Sequence, residues 1–171
     1  DKDGLRVFYL LMLSAFCTFA LSSSNFSMLS YASAISELFQ VNENPEKAVK
    51  MKAYFRNQFE FFGLQGPERK ALQKQFIAEH GLPTKSELPD VVLELWDMPQ
   101  RELQHCALEL LGKRIREMDP EAIDLIETLI EKKSWWDSVD YLSATLMGHV
   151  LRKFPAEIPE RNRNWLESEN I

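Results

Sequence analysis

Apolar residues recur three and four positions apart along almost the whole chain from Met28 onward. This spacing is typical of amphipathic helices, whereas a half-buried strand alternates apolar and polar residues with a period of two. No segment shows that alternation over a useful length. The pattern therefore predicts an all-α fold for residues 28–171.

A repeated proline signal predicts where several of these helices begin. Proline suits the first helical position because its missing N–H has no helical partner there, and a following acid meets the positive end of the helix dipole. The signal occurs in Asn44-Pro45-Glu46, Gly66-Pro67-Glu68, Met98-Pro99-Gln100, Asp119-Pro120-Glu121 and Ile158-Pro159-Glu160. With the apolar spacing, it predicts helices at residues 28–39, 45–59, 67–79, 88–96, 99–117 and 120–131, and a last one running to about 153.

Helices joined by loops this short pair antiparallel, and a series of pairs stacks into an α-solenoid with an extended concave face. The spacing between predicted helix starts is uneven, so the repeats are expected to be degenerate. Apolar stripes predict the core, with Leu103, Ala107, Leu110, Leu111 and Ile115 on one helix and Ile123, Leu125, Ile126, Leu129 and Ile130 on the next. Lys113, Arg114 and Arg116 form either a favourable helix-end cluster or a binding patch.

The first 27 residues form an apolar N-terminal extension that differs from the rest. A basic start, an apolar stretch from Leu5 to Leu21 and the polar residues after it have the layout of a signal peptide. The stretch is marginal as a membrane span, which needs about 20 apolar residues. Three interpretations stay open: an artefactual or fragmentary extension, a signal or anchor, and a packed extra helix. The globular domain is predicted to cover residues 28–171 and to be cytoplasmic, with a signal or anchor as the alternative.

Composition narrows the function classes. The chain has 171 residues, 45% of them hydrophobic, which suits one domain with a sizeable core. Its 20 basic and 26 acidic residues give a net charge of −6, which argues against nucleic-acid binding unless a basic surface is local.

Cysteines and histidines give no sign of a disulfide framework or a metal site. Cys17 and Cys106 are the only cysteines, and the histidines are His80, His105 and His149. Cys106 is predicted to be a buried small hydrophobe and not a reactive thiol. The histidines lack metal-ligand spacing and are predicted to be structural or surface residues. We therefore expect no metal site.

The segment Lys132-Lys133-Ser134-Trp135-Trp136-Asp137-Ser138-Val139-Asp140 is the most distinctive part of the chain. Ser134 or Asp137 is predicted to cap the helix that starts here, and Trp135 is predicted to pack. Trp136 and Asp140 are four residues apart and therefore share a helix face. An aromatic ring beside a carboxylate suits a cationic guest. From spacing alone, a solvent-facing aspartate beside a surface tryptophan is an equal alternative.

The same segment resembles the signature of the AlkD-type DNA alkylation repair enzymes, which are DNA glycosylases built from HEAT-like helical repeats. Further motifs agree in order and spacing: Asn44-Pro45-Glu46-Lys47-Ala48, Met51-Lys52-Ala53-Tyr54 with Asn57 and Phe59, Phe62-Gly63-Leu64-Gln65 with Pro67-Glu68-Arg69, and Glu94-Leu95-Trp96-Asp97 with Pro99 and Arg101-Glu102. The resemblance covers residues 28–171 and implies a HEAT-like α-solenoid.

The resemblance also implies an activity and its residues. It implies removal of cationic alkylated purines, 3-methyladenine and 7-methylguanine, from double-stranded DNA by hydrolysis of the N-glycosidic bond. Asp140 would be the catalytic carboxylate and Trp136 the aromatic contact to the damaged nucleotide. The resemblance implies no metal or organic cofactor, and the enzyme is expected to act as a monomer. A non-catalytic HEAT-like module that binds nucleic acid or protein is the alternative.

The end of the chain departs from the family pattern. Trp165-Leu166-Glu167-Ser168 stands where the family begins a further helix, and later repeats with DNA-contacting residues do not follow. The domain is therefore expected to be truncated at its C-terminal end. Retention of Trp136 with Asp140 favours the glycosylase, whereas the net charge of −6 favours the binding module.

Overall fold

The computed structural model describes residues 29–168, and all regular elements in that range are helical. The elements are α1 (Tyr31–Val41), α2 (Pro45–Tyr54), α3 (Gly66–His80), α4 (Leu88–Asp97), α5 (Arg101–Arg114) with a 3₁₀ turn (Ile115–Glu117), α6 (Ala122–Glu131), α7 (136–153), a 3₁₀ turn (Pro155–Glu157) and α8 (Ile158–Glu167). Between residues 29 and 168, extended pairing is confined to an isolated bridge between Glu60 and Gln100. The predicted all-α class is therefore confirmed.

Most helix starts follow the sequence signals. Asn44 caps α2 by accepting a hydrogen bond from the Lys47 N–H, and Pro45 is the first helical residue. A capping box between Gln65 and Glu68 begins α3. Helix α5 starts at Arg101, two residues later than predicted, because Gln100 is extended (φ −80°, ψ 126°) and pairs with Glu60, whose carbonyl accepts the Arg101 N–H at 2.8 Å. Helix α6 likewise begins two residues after Pro120.

One hydrophobic core joins the helices other than α2, which has no buried residues. Helix α5 packs along α4 and also touches α3 and α7, while α1 packs on α3 and α4, and α6 packs on α7. The predicted apolar stripes of α5 and α6 supply much of this core, and Cys106 lies buried among them as expected. The largest fully buried side chains include Trp96, Phe39, Leu103, Leu110, Ile126 and Leu142.

The predicted helix at residues 45–59 is too long, since α2 ends at Tyr54. Arg56 and Asn57 adopt left-handed backbone conformations with φ of 53° and 59°, which a right-handed helix cannot accommodate. Residues 55–65 therefore form a loop that we call the aromatic loop. It returns to the start of α2, where the Asn44 N–H donates to the Phe62 carbonyl at 2.8 Å.

Helix α7 has three parts in one continuous run. An α-helical start (Trp136–Asp140) leads into a π-helical segment (Tyr141–Met147) and then an α-helical end (Gly148–Lys153). Such π segments are rare inside helices and often occur next to functional sites. Tyr141, the first π residue, lies close to α5 at Gly112, where a Cβ would lie 2.3 Å from the tyrosine hydroxyl oxygen. Gly112 therefore permits this close approach.

The predictions for residues 1–27 fall outside the described residues. In the part of the chain that the structure covers, each helix is too short or too polar to span a bilayer.

Candidate functional site

Trp136 and Asp140 lie on the exposed start of α7. The Trp136 side chain is 55% exposed although it is one of the largest apolar groups in the molecule. Asp140 is also exposed, one helical turn further on. No hydrogen bond or ion pair from another residue between 29 and 168 engages the Asp140 carboxylate. The predicted common face is therefore present. It combines an exposed indole with a carboxylate that no other described residue binds.

Aromatic side chains from the end of α2 and the start of the aromatic loop support the Trp136 ring. Phe55 stacks on Trp136 with ring centroids 6.2 Å apart and an angle of 12° between the planes. Tyr54 meets Trp136 edge-on at 6.5 Å and is itself 71% exposed. Stacked and edge-to-face pairs at these distances add about 0.5–1.5 kcal/mol each beyond burial. The contacts thus hold an exposed tryptophan in one orientation.

The aromatic loop extends this cluster into the core. Phe55 contacts Phe59 at 6.1 Å and Phe61 at 5.1 Å, measured between ring centroids. Trp135 meets Phe59 edge-on at 6.0 Å, so the prediction that Trp135 packs is confirmed. The aromatic loop and the start of α7 are thus joined by contacts among these aromatic rings.

Asp137 does not cap α7, and the prediction that it or Ser134 does so is wrong. The capping position is Trp135, and no side chain there bonds to the helix N–H groups. The Asp137 carboxylate instead turns toward α5, where it binds the Arg101 guanidinium and lies 2.7 Å from His105 Nε2. The partners of Asp137 therefore lie on another helix and not on its own.

The charge of Asp137 is stabilised where it lies. Burial alone would raise the pKa of this carboxyl group, but hydrogen bonds from His105 and Arg101, with the Arg101 charge, bring its pKa below the usual value. The Asp137 side chain is only 9% exposed. Asp137 is therefore ionised, buried and paired, whereas the Asp140 carboxylate is exposed.

A second buried acid holds the aromatic loop. Glu102 accepts hydrogen bonds from the backbone N–H groups of Phe62, Gly63 and Leu64 at 3.2, 2.9 and 3.1 Å. Burial raises the pKa of Glu102, and these hydrogen bonds offset part of that effect. Gly63 has φ of +86° and lies so close to α2 that a Cβ there would be 2.1 Å from the Asn44 carbonyl oxygen. The loop is therefore fixed at a specific position beside the site.

Sequence reasoning missed four contributors to this site, namely Tyr54, Phe55, Arg101 and His105. Arg101 and Tyr54 stand within motifs that carry the family resemblance, but no role followed from their spacing. Their contacts join segments that are distant in sequence, so periodicity could not reveal them. His105 was expected to be structural or on the surface, and its contact with Asp137 is a structural one.

The site can bind a flat or cationic group and stabilise positive charge. An exposed indole offers van der Waals and cation–π contact, and the nearby Asp140 offers a fixed negative charge. Among residues 29–168, no three or more His, Cys, Asp and Glu side chains come together as a metal site would require. Trp136 and Asp140 together offer aromatic contact and a negative charge.

Comparison with family models and with solved structures points to one family. The sequence model of the family described as DNA alkylation repair enzyme matches residues 35–171. A search of curated proteins gave no match. Among solved structures, the chain is similar to a predicted DNA alkylation repair enzyme from Enterococcus faecalis, with 31% identity and a TM-score of 0.64. That match covers 75% of this chain and 60% of the other. The chain therefore belongs to the DNA alkylation repair enzyme family.

Proposed function

We propose that this protein is a DNA glycosylase that excises positively charged alkylated purines, such as 3-methyladenine and 7-methylguanine, from duplex DNA. Asp140 is the proposed catalytic carboxylate, and Trp136 is the proposed aromatic contact to the damaged nucleotide. The observation that carries the proposal is their common exposed face at the start of α7. Membership of the family supports DNA as the substrate.

The proposed chemistry needs only what these two residues offer. Alkylation has already given the base a positive charge, so the base is a good leaving group without a strong general acid. The bond between C1′ and the base nitrogen breaks, and its electron pair goes to the base, which leaves uncharged. The sugar then carries positive charge, which a fixed carboxylate at Asp140 stabilises.

Water completes the reaction. Its oxygen bonds to C1′, one proton is lost to Asp140 or solvent, and an abasic site remains in the DNA. Asp140 is free to orient this water because no other residue in the described part of the chain engages its carboxylate. No metal or organic cofactor takes part. A monomer is sufficient, since both proposed residues lie on one helix.

We further propose that the helix pairs stack as a HEAT-like α-solenoid whose concave face holds the duplex. The packing of consecutive helices, α4 on α5 and α6 on α7, supports this arrangement. An open face fits the exposure of Trp136 and Tyr54, because a surface groove can receive a damaged nucleotide that stays within the duplex. Most enzymes that act on bases instead extrude the base into an enclosed pocket.

A non-catalytic module that binds nucleic acid or protein is the second candidate. The net charge of −6 favours it, because DNA binding is usually driven by basic surfaces. A binding module does not explain why an exposed acid lies beside a tryptophan that other aromatic rings hold in place.

Release of 7-methylguanine from methylated duplex DNA tests the proposal. The protein is expressed from its complete reading frame and compared with Asp140→Asn and with a control, Asp90→Asn, which alters an exposed acid on α4. We expect Asp140→Asn to lower the single-turnover rate about 100-fold or more and the control to leave it unchanged. Equal release by wild type and Asp140→Asn would reject Asp140 as the catalytic acid. Absence of release by the wild type, with DNA binding retained, would favour the second candidate.

A further inference from the structure

Arg101 is a fully buried cation directly beneath the proposed site, with 0% of its side chain exposed. It is the first residue of α5, and its guanidinium binds three different groups around the start of α7. These are the Asp137 carboxylate, the Lys133 carbonyl at 3.2 Å and the Ser138 hydroxyl oxygen at 2.7 Å. A buried charge is costly unless it is fully paired, and this one is.

The same guanidinium also contacts the aromatic loop. Its central carbon lies 4.1 Å from the centre of the Phe59 ring, which is the geometry of a cation–π contact. Phe59 in turn packs on Phe55 and on Trp135. Arg101 therefore touches both segments that hold Trp136, namely the helix start that carries it and the loop whose rings support it.

The beginning of the turn that leads into α7 is held from α4 and the residue after it, since Trp96 Nε1 donates to the Lys132 carbonyl at 2.9 Å and the Lys133 ammonium donates to the Met98 carbonyl. Lys133 adopts a left-handed conformation with φ of 51°, which is uncommon for a residue with a side chain. The Trp135 capping position lacks a side-chain hydrogen bond to the helix. Arg101 contacts Lys133 before this capping position and Asp137 and Ser138 after it. These contacts therefore set the rotation of α7 about its axis.

We propose that Arg101 is a positioning residue of the site: it holds the start of α7 against the aromatic loop, so that Trp136 and Asp140 present the same face to the substrate. This inference rests on the proposed glycosylase function. Arg101 does not reach the substrate itself, because its side chain is fully buried. Its effect on the reaction comes through the orientation of Trp136 and Asp140.

A lysine at position 101 would keep the charge but not the geometry. The planar guanidinium presents several N–H groups in a fixed fork, and it binds Asp137, Ser138 and the Lys133 carbonyl at the same time. A lysine ammonium is a single point of charge and cannot span these acceptors. Arg101→Lys thus keeps the buried positive charge and removes the contacts that are proposed to position α7.

Arg69→Lys is the matched control. Arg69 is also buried and ion-paired, with Glu109 at 2.7 Å, and it hydrogen-bonds to Gln73. These partners lie on α3 and α5, and none belongs to α7 or to the aromatic loop. If any loss of a buried arginine reduces activity through stability alone, both variants will behave alike.

The experiment has two readouts on the full-length protein. The first is the single-turnover rate of 7-methylguanine release at saturating enzyme, corrected for the folded fraction. The second is the ¹⁹F NMR signal of Trp136 in protein labelled with 5-fluorotryptophan, assigned by the loss of that signal in Trp136→Phe. Ser138→Ala, which removes one acceptor of Arg101, serves as a milder variant if Arg101→Lys does not fold.

We expect Arg101→Lys to lower the rate at least 10-fold, to change DNA affinity less than about 3-fold, and to shift or broaden the Trp136 signal. Arg69→Lys should change neither readout, and Ser138→Ala should shift the signal in the same direction as Arg101→Lys. A wild-type rate and an unmoved Trp136 signal in Arg101→Lys would overturn the inference. If the wild type releases no alkylated base, the proposed function fails, and the Trp136 signal alone then decides whether Arg101 positions the site.

Discussion

Two neighbouring acids at the start of α7 have opposite environments. Asp140 is exposed and unengaged by other described residues, whereas Asp137 is buried in an ion pair with Arg101 and also bonds to His105. They are three residues apart, yet the helix turns them toward different surroundings. Proximity in sequence therefore does not make them a pair, and of the two only the Asp140 carboxylate is exposed.

Asp137→Asn is expected to destabilise the protein in a pH-dependent way. The substitution leaves the buried Arg101 charge without a counter-ion, which costs about 3 kcal/mol at neutral pH. The pKa of Asp137 is lower in the folded chain than its usual value of 3.8, so the stabilisation is present above about pH 4 and is lost as the pH falls through the folded pKa. Urea unfolding of both proteins at pH 7 and near pH 3 should show the difference shrinking in acid.

Asp119→Asn is the control for this measurement. Asp119 pairs with Lys85 at 2.6 Å, but both side chains are about half exposed. Exposed pairs contribute less than about 1 kcal/mol. A pH-independent loss in Asp137→Asn, or an equal loss in Asp119→Asn, would contradict the interpretation of the buried pair.

Gly63→Ala is expected to destabilise the protein by several kcal/mol. A Cβ at Gly63 would meet the backbone of Asn44 and Ala48 at 2.1 and 2.7 Å, and the positive φ adds strain. Gly66→Ala is the matched control, because nothing lies within 4 Å of a Cβ there. Thermal unfolding should show a large loss for the first variant and a change within about 0.5 kcal/mol for the second. Similar midpoints for the two variants would show that α2 can move away from the loop.

At the scale of elements, the aromatic loop depends on α5. Glu102→Gln is expected to destabilise the attachment of the aromatic loop by about 2 kcal/mol. The amide NH₂ would face backbone N–H donors and leave at least one of them without an acceptor. Amide hydrogen exchange at Phe62, Gly63 and Leu64 should become faster in this variant. Glu37→Gln, an exposed change on α1, should leave exchange unchanged. Unchanged protection in Glu102→Gln would show that other contacts hold the loop.

The elements show how far the sequence pattern reaches. Apolar spacing and proline signals predicted the helices closely, with Leu88–Asp97 found where residues 88–96 were expected. The pattern failed at residues 55–59, because Phe55 and Phe59 keep helical spacing while Arg56 and Asn57 turn the backbone the other way. It did not indicate the π-helical segment after Asp140 either, since apolar spacing hardly distinguishes the two helix types.

The proposed site was predicted in part for a similar reason. The common face of Trp136 and Asp140 follows from local helix geometry, and the structure has it. The supporting contacts of Tyr54, Phe55 and Arg101 are tertiary, and a single sequence does not encode them in its spacing. The roles of Trp136 and Asp140 in catalysis remain predictions.

At the scale of the whole molecule, an acidic protein is proposed to bind a polyanion. The net charge of −6 requires that any DNA contact use a local group of cations. We expect the affinity for duplex DNA to fall steeply between about 50 and 200 mM salt, with a log–log slope near −0.9 for each phosphate contacted. Fluorescence anisotropy with methylated and unmethylated duplexes measures this slope. A salt-insensitive complex would contradict phosphate contact and point to a protein partner.

The stack of Phe55 on Trp136 also has a consequence for how the chain acquires its function. Its two rings come from widely separated parts of the sequence, so the stack forms only once both segments have been synthesised and brought together, at a cost in loop-closure entropy. During synthesis, the loop that carries Phe55 is made well before Trp136, so its ring has no partner at position 136 until that residue has been added. A partly folded chain therefore lacks this stack, and the ¹⁹F signal of Trp136 in protein labelled with 5-fluorotryptophan should report when the stack forms.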